Sequence, residues 1–512
     1  VGLKIKLGNY TVSLSKSWLC WLWGDLRMTK AIMVQGAGSN VGKSMLVAGI
    51  CRALVKRGHR VVPFKPQNMS NNAAVTTDGG EIGRAQALQA MACQQPAIVD
   101  MNPVLLKPET DIGAQVIVQG KHMTTVKARE YSSLKPQLMP KVLESFFRVA
   151  NSTDFIIIEG AGSPAEINLR EGDIANMGFA EAANVPVILI GDIDRGGVIA
   201  QMIGTNIVLP ESDRIRIKGF AINKFRGDVS LFDGGVTAIE KQTNWQNLGV
   251  LPWFSDAWKL PAEDVMDIAT RPGGKIKIAV PRLARISNFD DLDPLVAEPN
   301  VTVEIVEPGR PLPGDAALII LPGSKSTISD LENFRTNGWD IDLQGHYRRR
   351  GHILGICGGY QMLGRKIHDP DGIEGPPRTV SGLGYLNVET VMSPKKNLSL
   401  TNAFTIDTKV PVTGYEIHIG ETSGPDCERS WLKLPNRNEG AMNDGRNVRG
   451  SYLHGLFNSD LFRSQFLSNL GAASNLVSYQ ADVETTLDEL GEFIEKHLDI
   501  DKLISLCSTI PK

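Results

Sequence analysis

The chain has 512 residues, 42% of them hydrophobic and 21% charged, with a formal net charge of −2. That near-neutral balance argues against a large nucleic-acid footprint, and no apolar run reaches the roughly 18–20 residues needed to span a bilayer. Cys20, Cys51, Cys93, Cys357, Cys427 and Cys507 are scattered without a CxxC pair. Neither a zinc site nor a disulfide framework is indicated, and a reducing cytoplasm is expected.

In chain order, "WLCWLW" (18–23) is too short for a signal-peptide core and lacks a small-residue cleavage site. Met28 then opens "MTKAIMVQ", which runs straight into a first strand, so residues 1–27 are expected to lie outside the fold. Short β-branched runs follow at 31–35, 60–64, 154–160, 186–192, 217–223 and 248–253. Between the first two, Leu46, Ile50, Leu54 and Val55 recur at helical spacing, with Gly58 suited to the helix end. Near-continuous apolar strands alternating with helices predict a parallel sheet covered on both faces. A second series, "KIKIAV", "ALIILPGS" and "HILGIC", begins near residue 275. The expectation is an α/β protein with two parallel-sheet domains, 28–253 and 275–512, joined by a linker at 254–274.

"QGAGSNVGKS" (35–44) sits between the first strand and the first helix. In a phosphate-binding loop, backbone N–H groups and the helix N-terminus cradle anionic oxygens. Lys43 reaches the terminal phosphates and Ser44 holds Mg²⁺. The usual spacing places a glycine at position 37, which is Ala37; Gly36 lies one residue earlier, so the loop is one residue longer before Gly42. Acids at strand ends could complete a metal site: Glu159, and Asp192 and Asp194 in "GDIDRGG". Ligands of open parallel sheets bind where those residues would lie. Each acid taken singly also suits a turn or a cap.

"GHILGICGGYQMLG" (351–364) places Cys357 between an apolar strand and a helix, with glycines on both sides. A sharp strand-to-helix turn exposes its side chain above the sheet, and the helix start favours a thiolate. The competing reading is a buried small apolar residue. The local sequence leaves both open.

"LIILPGSKSTISDL" (318–331), "GICGGYQMLG" (355–364) and "GSYLHGLF" (450–457) resemble the class I glutamine amidotransferases. That resemblance implies Cys357 as nucleophile and His454 as base, the N–H groups of Gly323 and Gly358 as oxyanion donors, and Gln361 in the glutamine pocket. The common pattern carries a glutamate two residues after the histidine, and here that position is Leu456. From Met28 to about residue 460, long stretches such as "VVPFKPQNMSNNA", "MNPVLLKPETDIGAQVIVQGK" and "GYEIHIG" resemble the cobyric acid synthase family. The family pairs a dethiobiotin-synthetase-like ATP domain with an amidotransferase domain. The resemblance implies ATP- and glutamine-dependent amidation of the b, d, e and g carboxylates of adenosylcobyrinic acid a,c-diamide, through acyl phosphates. It implies ATP and Mg²⁺ as cofactors and small-molecule substrates only, without nucleic acid or membrane. Asn223 resembles the adenine-recognising asparagine of dethiobiotin-type enzymes; Lys65, Gln67, Asn68 and Lys107 are candidate corrinoid contacts. Arg195 and Arg226 could serve the corrinoid or the phosphates. The a,c-diamide synthases and amidoligases acting on other acids share the plan. A P-loop switch ATPase is a third alternative, opposed by the fused amidotransferase.

Overall fold

The computed structural model describes all residues except 1–3, 8–9, 14–27, 110–112, 264–269, 271, 475–477 and 511–512. Lys4–Leu7 and Tyr10–Ser13 form a separate antiparallel pair. The rest of the expected extension, including "WLCWLW", lies outside the described residues.

The first half is built on β1 (Thr29–Gly36), α1 (Lys43–Lys56), β2 (Val61–Phe64), α2 (Arg84–Ala92), β3 (Phe155–Glu159), β4 (Val187–Asp192), β5 (Ile217–Phe225) and β6 (Gln246–Pro252). The six strands are parallel, in the order β6-β5-β4-β1-β3-β2. β1, β3 and β4 are buried almost without interruption, as a sheet covered on both faces requires. The carboxyl ends of β1, β3, β4 and β5 therefore carry the phosphate loop, Glu159, Asp192 and Asn223 to one edge.

The second half has β7 (Ile276–Pro281), β8 (Val301–Val306), β9 (Leu318–Leu321), β10 (His352–Ile356), α3 (Gly358–Leu363), a long antiparallel hairpin of β11 (Glu389–Thr405) and β12 (Pro411–Ser423), β13 (Val448–Ser451) and β14 (Leu453–His454). The parallel core runs β8-β7-β9-β10-β13. The hairpin carries β14 on its edge, where Tyr415 pairs with His454. It also leans on the first half: Tyr415, Ile417 and Leu398 pack with Ala73, Val75, Leu105 and Ile117.

One boundary is corrected. Residues 479–510 do not belong to the second domain, as expected for 275–512, but return to the first. It forms α4 (Tyr479–His497), α5 (Ile500–Leu506) and β15 (Ser508–Ile510), and β15 pairs antiparallel with β1. Val483, Leu487, Leu490 and Ile494 make one buried stripe on α4 that packs against α1. The approach is close: a Cβ on Gly49 of α1 would meet Leu490 at 3.0 Å. The buried Arg52 adds an ion pair to Glu484 at 2.5 Å.

Candidate functional site

At the phosphate loop, glycine is required by close approach. A Cβ on Gly36 would lie 2.7 Å from the Gly38 carbonyl oxygen and 2.9 Å from Lys43 Nζ. Gly42 has φ 89°, and a Cβ there would meet Asn223 Nδ2 at 2.5 Å. Lys43 Nζ donates to the Gly162 carbonyl at 3.1 Å, and burial lowers its pKa. The Ser44 hydroxyl donates to Glu159 Oε1 at 2.8 Å, and Lys65 Nζ reaches the same oxygen at 2.8 Å. Gln89 and Gln86, both on α2, donate to Glu159 Oε2 at 2.5 and 3.4 Å. Burial alone would raise the pKa of Glu159, but the charge of Lys65 and these hydrogen bonds hold it below the usual range.

The structure does not bring the four expected metal ligands together. Asp192 Oδ2 pairs with Lys224 at 2.9 Å, and Asp194 turns outward to Arg226 at 2.7 Å. Among the described residues no three acidic, histidine or cysteine side chains cluster as a metal site. Ser44 and Glu159 are joined side chain to side chain, while Asp192 accepts only the backbone N–H of Asp194, at 2.9 Å. Asn223 is buried and its Nδ2 donates to the Val41 carbonyl at 2.8 Å, bracing the loop.

The four candidate corrinoid contacts are each engaged with other side chains. Lys65 is committed to Glu159, while Gln67 accepts from the Tyr131 hydroxyl at 2.6 Å. Asn68 donates to Gln86 at 2.8 Å. Lys107 lies buried at the interface of the two halves, paired with Glu81 at 2.9 Å; Lys396 of β11 pairs with the same carboxylate. Burial would raise the pKa of Glu81, but the two ammonium groups hold it down at about 2.

At the cysteine, β10 breaks sharply into α3. Cys357 is buried with φ 52° and ψ −110°, a strained backbone for a residue with a side chain. The neighbouring glycines make the turn possible: a Cβ on Gly355 would meet the Gly359 carbonyl oxygen at 2.6 Å. Cys357 Sγ lies 3.6 Å from the Ile417 carbonyl oxygen of β12. A Cβ on Gly323 would meet His454 Cε1 at 3.2 Å, and one on Gly358 would meet Ser324 N at 2.9 Å. Both glycines therefore border the elbow. Gln361 is buried and saturated: its Oε1 accepts from Thr327 Oγ1 at 2.9 Å. Its Nε2 donates to the Ile419 carbonyl at 2.9 Å and to Tyr452 at 3.1 Å.

Leu456 is packed in the core and supplies no carboxylate. Another segment does. His454 Nδ1 donates to Asp291 Oδ2 at 2.8 Å, and Asp291 Oδ1 accepts from the Gly455 N–H at 2.6 Å. Burial disfavours the imidazolium, but the charge of Asp291, its hydrogen bond and the nearby Cys357 outweigh it, and the His454 pKa is pushed up to about 10. The outer nitrogen, Nε2, is buried without a conventional hydrogen bond among the described residues. Asp291 carries no motif; its one signal in the sequence is a run of acids inside an apolar stretch, "NFDDLDP" (288–294).

Comparison with known proteins agrees with this two-site plan. A family profile described as the CobQ/CobB/MinD/ParA nucleotide binding domain matches residues 32–268. One described as the CobB/CobQ-like glutamine amidotransferase domain matches residues 277–462. The cobyric acid synthase of Ruegeria sp. (strain TM1040) is 64% identical over 479 residues, 94% of this chain and 99% of that protein. Those of Rhodobacter capsulatus and Bradyrhizobium diazoefficiens are 61% and 58% identical; the alignments cover 93% and 94% of this chain, and 99% and 100% of those proteins. A nucleotide-binding half and an amidotransferase half, matched over nearly the whole length, place the chain in the cobyric acid synthase family of glutamine-dependent amidoligases.

Proposed function

We propose that the protein converts the b, d, e and g carboxylates of adenosylcobyrinic acid a,c-diamide into amides. A carboxylate does not react with ammonia, because its leaving group would be oxide. In the first half, a substrate carboxylate oxygen attacks the γ-phosphorus of ATP, giving an acyl phosphate and releasing ADP. Ammonia then attacks the acyl carbon, and phosphate leaves as the amide forms. Lys43 and the loop N–H groups hold the phosphates and offset charge in the transition state. Ser44 and Glu159 offer two neighbouring oxygen donors of the kind Mg²⁺ takes, since that ion needs few protein ligands. Bound there, it would draw charge from the phosphate oxygens.

In the second half, Cys357 Sγ, its proton already passed to His454 Nε2, attacks the glutamine side-chain amide. The N–H groups of Gly323 and Gly358 stabilise the oxyanion. His454 returns the proton as ammonia leaves, and water hydrolyses the thioester to glutamate. Asp291 keeps the ring oriented and supports its positive charge. Only neutral ammonia carries a lone pair, so a sheltered route between the halves is required. The apolar cluster of Ala73, Val75, Leu105 and Ile117 with Tyr415 and Ile417 keeps water out of the contact between the halves, next to the strand beside Cys357.

The observation that carries this reading is the buried His454–Asp291 pair beside a positive-φ cysteine, in a chain that also holds a phosphate loop. The test is product mass with glutamine or with free ammonia as nitrogen source. Cys357→Ala is expected to lose glutamine-dependent amidation and keep the ammonia-dependent reaction at alkaline pH. Glutamine use by folded Cys357→Ala would overturn it.

A further inference from the structure

Directly before Asp291 stands a second buried carboxylate, Asp290, with a different set of partners. Its Oδ1 accepts from the Tyr415 hydroxyl at 2.6 Å. The Tyr415 ring lies flat against the His454 imidazole, with centroids 5.0 Å apart and planes 10° apart. Its Oδ2 forms an ion pair at 2.5 Å with Arg84, which belongs to the other half of the molecule. Arg84 is the first residue of α2, the helix whose Gln86 and Gln89 hold Glu159 at the phosphate loop. Arg84 and Gln89 are five residues apart, so about 7.5 Å of helix separates the supports of the two sites.

The electrostatics give Arg84 a task. Asp290 and Asp291 are buried, Asp293 half-buried, within four residues of one another; burial, and after it the charge of Asp290, pushes the Asp291 and Asp293 carboxyl pKa values up. The guanidinium offsets Asp290 and leaves Asp291 free to serve His454. It also fixes Asp290, which fixes the Tyr415 hydroxyl and hence the ring that flanks the imidazole. We infer that Arg84 is a positioning residue for glutamine hydrolysis, supplied by the ATP half and acting through Asp290 and Tyr415 on the His454–Asp291 pair. The inference rests on the proposed glutaminase role of Cys357.

The experiment uses the full chain and measures glutamine hydrolysis (kcat and KM) beside ammonia-driven amidation, for wild type, Arg84→Gln, Arg84→Lys and Tyr415→Phe. Arg84→Gln is expected to lower the glutaminase kcat by about tenfold or more, with KM and ammonia-driven amidation within about twofold of wild type. Arg84→Lys, which keeps the charge, is expected to recover most of that kcat. An unchanged kcat in Arg84→Gln, an equal fall in both activities, or no recovery in Arg84→Lys would each overturn the inference. If Arg84→Gln fails to fold, Tyr415→Phe decides: a loss confined to kcat supports the relay, and an unchanged kcat refutes it. Glutamine hydrolysis that persists in Cys357→Ala would instead refute the glutaminase assignment beneath it.

Discussion

At the phosphate loop, the groups that meet come largely from one run of chain, Gly36 to Ser44, with Lys65 and Glu159 joining from neighbouring strands. At the cysteine, Asp291, Gly323, Cys357 and His454 come from four segments, and the hydrogen-bonded pair His454 and Asp291 is 163 residues apart. A site of the first kind is specified by a turn and a helix start, so local sequence describes it. One of the second kind exists only after the sheet has assembled, and its members need no shared spacing. The two should therefore respond differently to damage: the first through its own residues, the second through distant supports.

The largest expected effect is at the first. Lys43→Met should reduce amidation by about 10²–10³-fold with glutamine and with ammonia alike, since both reactions need the held phosphate. Glutamine hydrolysis by the same variant should remain measurable, because no cysteine-side group is altered. Near-normal ammonia-dependent turnover in Lys43→Met would remove the loop from the reaction.

Next is Asp291→Asn. Loss of an orienting carboxylate costs a serine triad about 10⁴ in kcat. A thiol is the stronger nucleophile, so a fall of about 10²-fold in glutamine hydrolysis is expected here. The pH profile should move as well. The Asp291 carboxylate keeps His454 protonated to about pH 10. Without it, burial favours the neutral ring, so the alkaline limb of the wild-type profile should shift to lower pH in the variant. The same coupling stabilises the fold: it is fully present below the unfolded histidine pKa of about 6.5 and is lost as pH rises through about 10. An unmoved alkaline limb would show that Asp291 does not set the ring's charge.

These contrasts explain what was readable from sequence. The six first-half strands follow from near-continuous apolar runs, and Lys43, Ser44 and Cys357 from short motifs at strand ends. Asp291 was hidden because a carboxylate in a loop carries no periodic signal and its partner is far along the chain. The return of residues 479–510 was hidden for a related reason. The apolar stripe of α4 predicts a buried helix but does not say which surface it covers, and here that surface is α1, behind the phosphate loop.

That packing supplies an intermediate effect. Leu490→Ala removes a fully buried side chain from the α1–α4 contact and should destabilise the fold by about 2–5 kcal/mol. Because α1 begins at the loop, amidation should lose thermal stability earlier than glutamine hydrolysis does. If both activities fail at the same temperature, the two halves unfold as one unit.

The smallest expected effect separates two acids that looked alike in the sequence. Glu159 is buried and takes the Ser44 hydroxyl, whereas Asp194 is paired outward with Arg226, and hydrogen bonding from Arg226 holds its pKa below the usual range. An exposed ion pair of this kind contributes little to stability. Asp194→Asn should therefore change neither melting nor the Mg²⁺ concentration for half-maximal amidation by more than about twofold. Glu159→Gln should raise that Mg²⁺ requirement clearly, since it removes the carboxylate that takes the Ser44 hydroxyl. Titrating Mg²⁺ into ammonia-driven amidation reads both variants without involving Cys357. An equal rise in Asp194→Asn would mean that its pairing with Arg226 opens when nucleotide binds, and that Asp194 joins the metal after all.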